Sequence, residues 1–173
     1  MRKTILAVLI FILAAPAWAQ RLTLDFPGLA DKASEVVDVT LDGSTLKLAA
    51  KFLNGDADER NIRDVVQKLE GIYVRSFTFD KEGEYDRAVL DGVRKQLGPQ
   101  WKKIVNVRGR RENSEIYIDT KPDGTPAGLL VMTAEPNELT VVNIVGPIDI
   151  DKLASLEGEF GIPGKHKERH HAK

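Results

Sequence analysis

The sequence predicts an α+β domain, with a mostly antiparallel sheet of four to five strands packed against several helices. Three observations predict it. Four β-rich runs follow one another closely between Ile104 and Val145. Their connections carry turn chemistry, notably Lys121-Pro122-Asp123-Gly124 and Glu135-Pro136-Asn137-Glu138, and links that short join antiparallel strands. The first half of the chain instead shows apolar residues at helical spacing.

Val37, Val39 and Leu41 alternate with Asp38 and Thr40, a short strand closed by Asp42-Gly43. Ser44 is placed to cap a helix bearing Leu46, Ala49, Ala50 and Leu53. A second helix carries Ile62, Val65, Val66 and Leu69, with Gly71 at its exit. Residues 72–79 read as a strand and 86–97 as an amphipathic helix stopped by Gly98-Pro99. The strand candidates 104–108, 115–120, 128–134 and 139–145 follow, and the last two are apolar enough to sit centrally. Asp149 then caps a closing helix with Ile150, Leu153, Leu156 and Phe160 inward. Leu22 to Ala33 reads as a lead-in too broken for a long element.

The ends read differently from the body. Arg2 and Lys3 precede an uncharged, mostly apolar run and then Ala17-Trp18-Ala19, so residues 1–19 are expected to be a secretory signal cut between Ala19 and Gln20. The run is short for a spanning helix, and no stable membrane anchor is expected after cleavage. Residues 20–163 form the expected domain. Residues 164–173 form a basic, His-containing tail, expected to be disordered because it has nothing to bury. The expected location is therefore outside the cytoplasm, in the periplasm or secreted.

Composition narrows the chemistry. The chain has 25 Lys plus Arg against 26 Asp plus Glu. Without Arg2 and Lys3 the formal charge is −3, which gives no drive toward nucleic acid. There is no cysteine, and His166, His170 and His171 all lie in the tail. The body therefore lacks the ligands of a zinc site and the imidazole of a catalytic relay. Asp119, Asp123 and Gly124, and likewise Asn54, Asp56 and Asp58, imitate calcium loops, but Lys121, Leu130, Glu59 and Val65 stand where ligands or the turn glycine are needed. Ser44-Thr45-Leu46-Lys47 matches a Ser-x-x-Lys motif without its companion motifs. No catalytic residue, metal or cofactor is assigned. The one local excess of positive charge is Trp101, Lys102, Lys103, Arg108, Arg110 and Arg111, the candidate surface for a protein partner. On an extended strand Arg108 and Arg110 would share a side. The competing reading is a charged strand edge that discourages sheet-to-sheet pairing.

The run 69–80 (Leu-Glu-Gly-Ile-Tyr-Val-Arg-Ser-Phe-Thr-Phe-Asp), Trp101, and 135–143 (Glu-Pro-Asn-Glu-Leu-Thr-Val-Val-Asn) resemble the bacterial envelope family called domain of unknown function 4252. Gly146-Pro147-Ile148-Asp149 and Phe160-Gly161-Ile162-Pro163 are similar to it too. The resemblance implies an exported domain whose relatives stand beside genes for extracytoplasmic sigma factors and their membrane regulators. It implies no catalytic residues. Many members look like lipoproteins, whereas this chain has Ala19-Gln20 and no cysteine at the cut site. The expected function is a non-enzymatic envelope domain that binds a protein partner, with a regulator of envelope stress or an anti-sigma factor as one such partner. The alternative is a periplasmic carrier of a lipid or other apolar ligand, which needs a large apolar pocket. A hydrolase using paired carboxylates comes third.

Overall fold

Partly apolar runs of eight or nine residues build the frame of the molecule. The computed structural model describes residues 21–149 apart from 54 and 56, and shows β1 (Glu35–Asp42), α1 (Gly43–Ala50), α2 (Ala57–Val66) and β2 (Gly71–Thr78). A 3₁₀ turn (Arg87–Leu90) runs into the one-turn α3 (Asp91–Arg94). Then come β3 (Trp101–Arg108), β4 (Asn113–Thr120), β5 (Pro126–Ala134) and β6 (Glu138–Val145). The expected signal segment (1–19), the residues of the expected closing helix beyond Asp149 and the expected tail (164–173) lie outside the described residues.

The strands form one antiparallel sheet in the order β1-β2-β6-β5-β4-β3. It is six strands wide, not four to five, because β1 pairs along its full length with β2, from Glu35 opposite Thr78 to Asp42 opposite Gly71. The apolar β5 and β6 occupy the centre, where both neighbours satisfy their backbone groups. β1 and β3 are the two edges.

The register sorts side chains cleanly between two faces. On the front, Tyr73, Phe77, Leu139, Val141, Val145, Leu130, Met132 and Tyr117 form the main core. Phe79, Tyr85, Leu90 and Val93 cover it. So does the lead-in, whose Leu22, Leu24, Phe26 and Leu29 are all buried. The lead-in forms no long element, as expected, yet its apolar side chains are part of the core. The Gln96 amide fixes it by accepting from Thr23 N at 2.8 Å and donating to Thr23 O at 2.9 Å. Phe26 meets Phe77 edge-on at 5.6 Å, and Phe79 stacks on Tyr85 at 5.0 Å. On the back, Leu46, Leu69 and Ile148 cover Leu41, Ile72, Leu129 and Ile144. Beside that patch, Val39, Val74, Val142, Val131, Ile116 and Val105 form a partly exposed row across all six strands.

Three local expectations are corrected. The cap of α1 is Asp42, whose carboxylate accepts from Thr45 N at 2.7 Å, while Ser44 Oγ donates to that carboxylate at 2.6 Å. Gly71 does not end a helix but opens β2, because α2 stops at Val66 and turns carry the chain to Leu69. Residues 86–97 are not one helix. Gly92 weakens a regular helix there, and burial of Leu90 and Val93 three residues apart suits a tighter turn.

Candidate functional site

The basic cluster found in the sequence belongs to the β3 edge and the hairpin that follows it. Gly98-Pro99 ends the preceding turn, and Trp101 N donates back to Gly98 O at 3.1 Å, launching the strand. From Lys102 onward every residue of β3 is exposed, including Ile104 (54 %), Val105 (36 %) and Val107 (46 %). Its inner edge pairs with β4, with a bulge between Lys103 and Val105. Among the described residues its outer edge has no neighbouring strand.

The six candidates do not converge on one spot. Trp101 is buried against the main core, opposite Asp119 in the ladder, and Gly128 leaves room for its ring. The ring is thus a packing element rather than a solvent-facing contact, and its Nε1 is buried without a hydrogen-bond partner among the described residues. Lys102 lies on the back face and Lys103 on the front, as alternation requires. Arg108 ends the strand. Arg110 and Arg111 lie in the hairpin loop, closed by Gly109 N to Glu112 O at 2.8 Å, so Arg108 and Arg110 do not share a strand face. Arg110 instead borders an open cleft of about 660 Å³, lined also by Glu82, Glu84, Asp86, Arg87 and Glu135.

Lys103 leads to a charge cluster that the sequence did not reveal. Its ammonium lies 2.9 Å from Glu115 Oε2 and 5.0 Å from the centre of the Tyr117 ring. Arg94, from α3, brings Nη2 to 3.1 Å from Glu115 Oε1 and Nη1 to 2.6 Å from Asp91. Tyr117 donates its hydroxyl to Glu115 Oε2 at 2.5 Å. Burial alone would raise the Glu115 carboxyl, but the hydrogen bonds from Tyr117, Lys103 and Arg94 outweigh it and bring it down to about 2. Burial, and then the bond to Glu115, raise the Tyr117 phenol. Bonds to Tyr117 and Glu115 raise the Lys103 ammonium. These shifts keep Glu115 ionised, the Tyr117 phenol protonated and the Lys103 ammonium charged near neutral pH. The cluster clamps the outer strands to α3.

Other sequence motifs resolve into local structure. Ser44 is engaged with the Asp42 cap, so the Ser-x-x-Lys pattern lies in a helix start. Asp123 accepts from Thr125 N at 2.8 Å inside its turn, which lowers its carboxyl. Among the described residues no His, Cys, Asp and Glu group is placed to hold a metal. A second open cleft, about 560 Å³, lies at the front of β1 and β2. Arg21 covers the Tyr73 ring at 4.3 Å there, and Arg75 pairs with Asp38.

A family model matches residues 31–156, from just before β1 to beyond the last described residue, under the description Domain of unknown function (DUF4252). The chain belongs to that family. The DUF4252 match takes in the whole sheet, both edges and the Arg94–Lys103–Glu115 cluster. Comparison with curated proteins gives no match.

Proposed function

We propose that this DUF4252 chain is an exported, non-enzymatic domain of the bacterial cell envelope that binds a protein partner along β3. The observation that carries the reading is the outer strand itself. It offers Ile104, Val105 and Val107 to solvent between Lys102 and Lys103 on one side and Arg108 on the other, with an outer backbone edge that no strand among the described residues pairs. Such an edge accepts an extended segment by strand addition, the backbone giving affinity and the side chains selectivity. Arg110 and Arg111 extend the basic surface into the adjoining hairpin. The signal-like residues 1–19 support export, with cleavage between Ala19 and Gln20. The family resemblance favours a regulator of envelope stress as the partner. A carrier role for an apolar ligand draws less support, since both clefts described above mix charged with apolar lining.

The test is photo-crosslinking in the native envelope from a probe at Val107, followed by mass spectrometry. A reproducible partner, lost on charge reversal of Arg108, Arg110 and Arg111, is the expected result. Labelling confined to lipid, or no labelling at all, would overturn the reading.

A further inference from the structure

The two edges of the sheet carry opposite charge. β3 (Trp-Lys-Lys-Ile-Val-Asn-Val-Arg) holds three bases and no acid, while β1 (Glu-Val-Val-Asp-Val-Thr-Leu-Asp) holds three acids and no base. Each is eight residues long, and among the described residues each has a strand neighbour on one side only. Apolar side chains are exposed on both: Val36 and Val37 on β1, Ile104, Val105 and Val107 on β3.

We propose that β1 of one copy adds to β3 of the next, continuing the antiparallel sheet from molecule to molecule. The strand count permits it. All six strands alternate in direction, so β1 and β3 run oppositely, and a second copy laid alongside in the same sense presents β1 antiparallel to β3. One register satisfies both faces at once. Arg108 falls opposite Asp38 and Asn106 opposite Thr40 on the front, with Val107 opposite Val39 and Val105 opposite Leu41 on the back. The bulge next to Lys103 then absorbs one residue, and Lys103 falls opposite Asp42. Front stays with front and back with back, so both faces of the sheet continue unbroken.

Lysines and a bulge ordinarily guard a lone edge against pairing. Against an acidic strand the same bases become attractive, and like-charged pairing of β3 with β3 or β1 with β1 is disfavoured. The side chain of Asp38 keeps 57 % of its surface exposed while bound to Arg75, leaving it able to meet a second base. The contact is heterologous, so each added copy leaves one acidic and one basic edge free, and the assembly grows as a chain. This inference shares the β3 edge with the proposed function and names a second copy as its occupant.

Sedimentation velocity on the chain cleaved after Ala19 tests it. At low salt the mean mass should rise with concentration above that of one copy, and added salt should reverse the rise. Arg108→Glu and Val107→Lys should each shift the midpoint of assembly upward at least about tenfold. Asp38→Arg should do the same, and mixing it with Arg108→Glu should restore assembly, because each opposes the other's reversed charge. If circular dichroism shows Asp38→Arg unfolded, the two β3 variants decide the matter alone. A single-copy mass at every concentration, or assembly indifferent to both β3 variants, would overturn the proposal. A single-copy mass with a heterologous crosslink from Val107 would sink self-pairing and leave the partner reading standing. Assembly with crosslinks only to the chain itself would do the reverse.

Discussion

The side chain of Asn143, fully buried in the central strand β6, accepts a hydrogen bond from the backbone N–H of Leu22 at 3.1 Å across 121 residues of sequence. Its amide nitrogen lies 3.4 Å from Leu129 O on the neighbouring strand. The bond stitches the lead-in to the sheet at the point where the lead-in enters the core. Asn143→Leu removes the acceptor and leaves a buried N–H unpaired, a cost of about 1–3 kcal/mol. Urea unfolding should show that loss, and proteolysis should cut first within the lead-in. An unchanged midpoint and cleavage pattern would mean that the lead-in is held by its apolar side chains alone.

Glu115 gives the folded state an acid limit. Its folded carboxyl sits near 2 against an ordinary 4.5, so ionised Glu115 favours the fold above the ordinary value. That contribution fades as pH falls from about 4.5 toward 2. Glu115→Gln should cost about 1–3 kcal/mol near neutral pH and flatten the stability profile across that acid window. Chemical denaturation at a series of pH values reads both effects. A profile of undiminished slope in the variant would assign the acid sensitivity to other carboxylates.

Trp101 separates packing from hydrogen bonding. Because its Nε1 has no partner among the described residues, Trp101→Phe forfeits no bond, and its cost is that of the lost ring volume alone, less than that of removing the whole side chain. Trp101→Ala empties a core site and should cost about 3–5 kcal/mol. Thermal and urea midpoints distinguish the two. Equal losses would show that a phenyl ring recovers none of the indole's contribution and would overturn the packing account.

Gly146 follows β6 with φ of +126°, and a Cβ there would come within 2.8 Å of Glu70 N and 3.0 Å of Leu69 Cα. Both the backbone angle and the close approach exclude a side chain. Gly146→Ala should destabilise by about 1–3 kcal/mol. A parent-like unfolding midpoint would show that the turn relaxes more easily than its packing implies.

Much of the sheet was readable because its cause is local. Alternation marked β1, β-branched and aromatic content marked β2, short turn-bearing links marked β4, and continuous apolar runs placed β5 and β6 at the centre, since a strand buried on both faces needs apolar residues at every position. The same alternation, Leu22-Leu24-Phe26 with Thr23 and Asp25 between, marked the lead-in as half-buried, but Pro27-Gly28 drew attention to the break instead. The basic residues from Lys102 to Arg111 were also visible as a run. Their division between two faces, a strand end and a hairpin followed only once the span of β3, from Trp101 to Arg108, was fixed.

The sequence by itself determined the α+β class, the turns at Lys121–Gly124 and Glu135–Glu138 and the run of bases from Lys102 to Arg111, because each is written in neighbouring residues. Only the tertiary structure decided which strands are edges, that Trp101 is buried, and that Arg94 and Lys103 share the carboxylate of Glu115. Those facts arise from contacts between segments far apart in the chain. Local periodicity records which side of an element is apolar, but not which distant element will cover it.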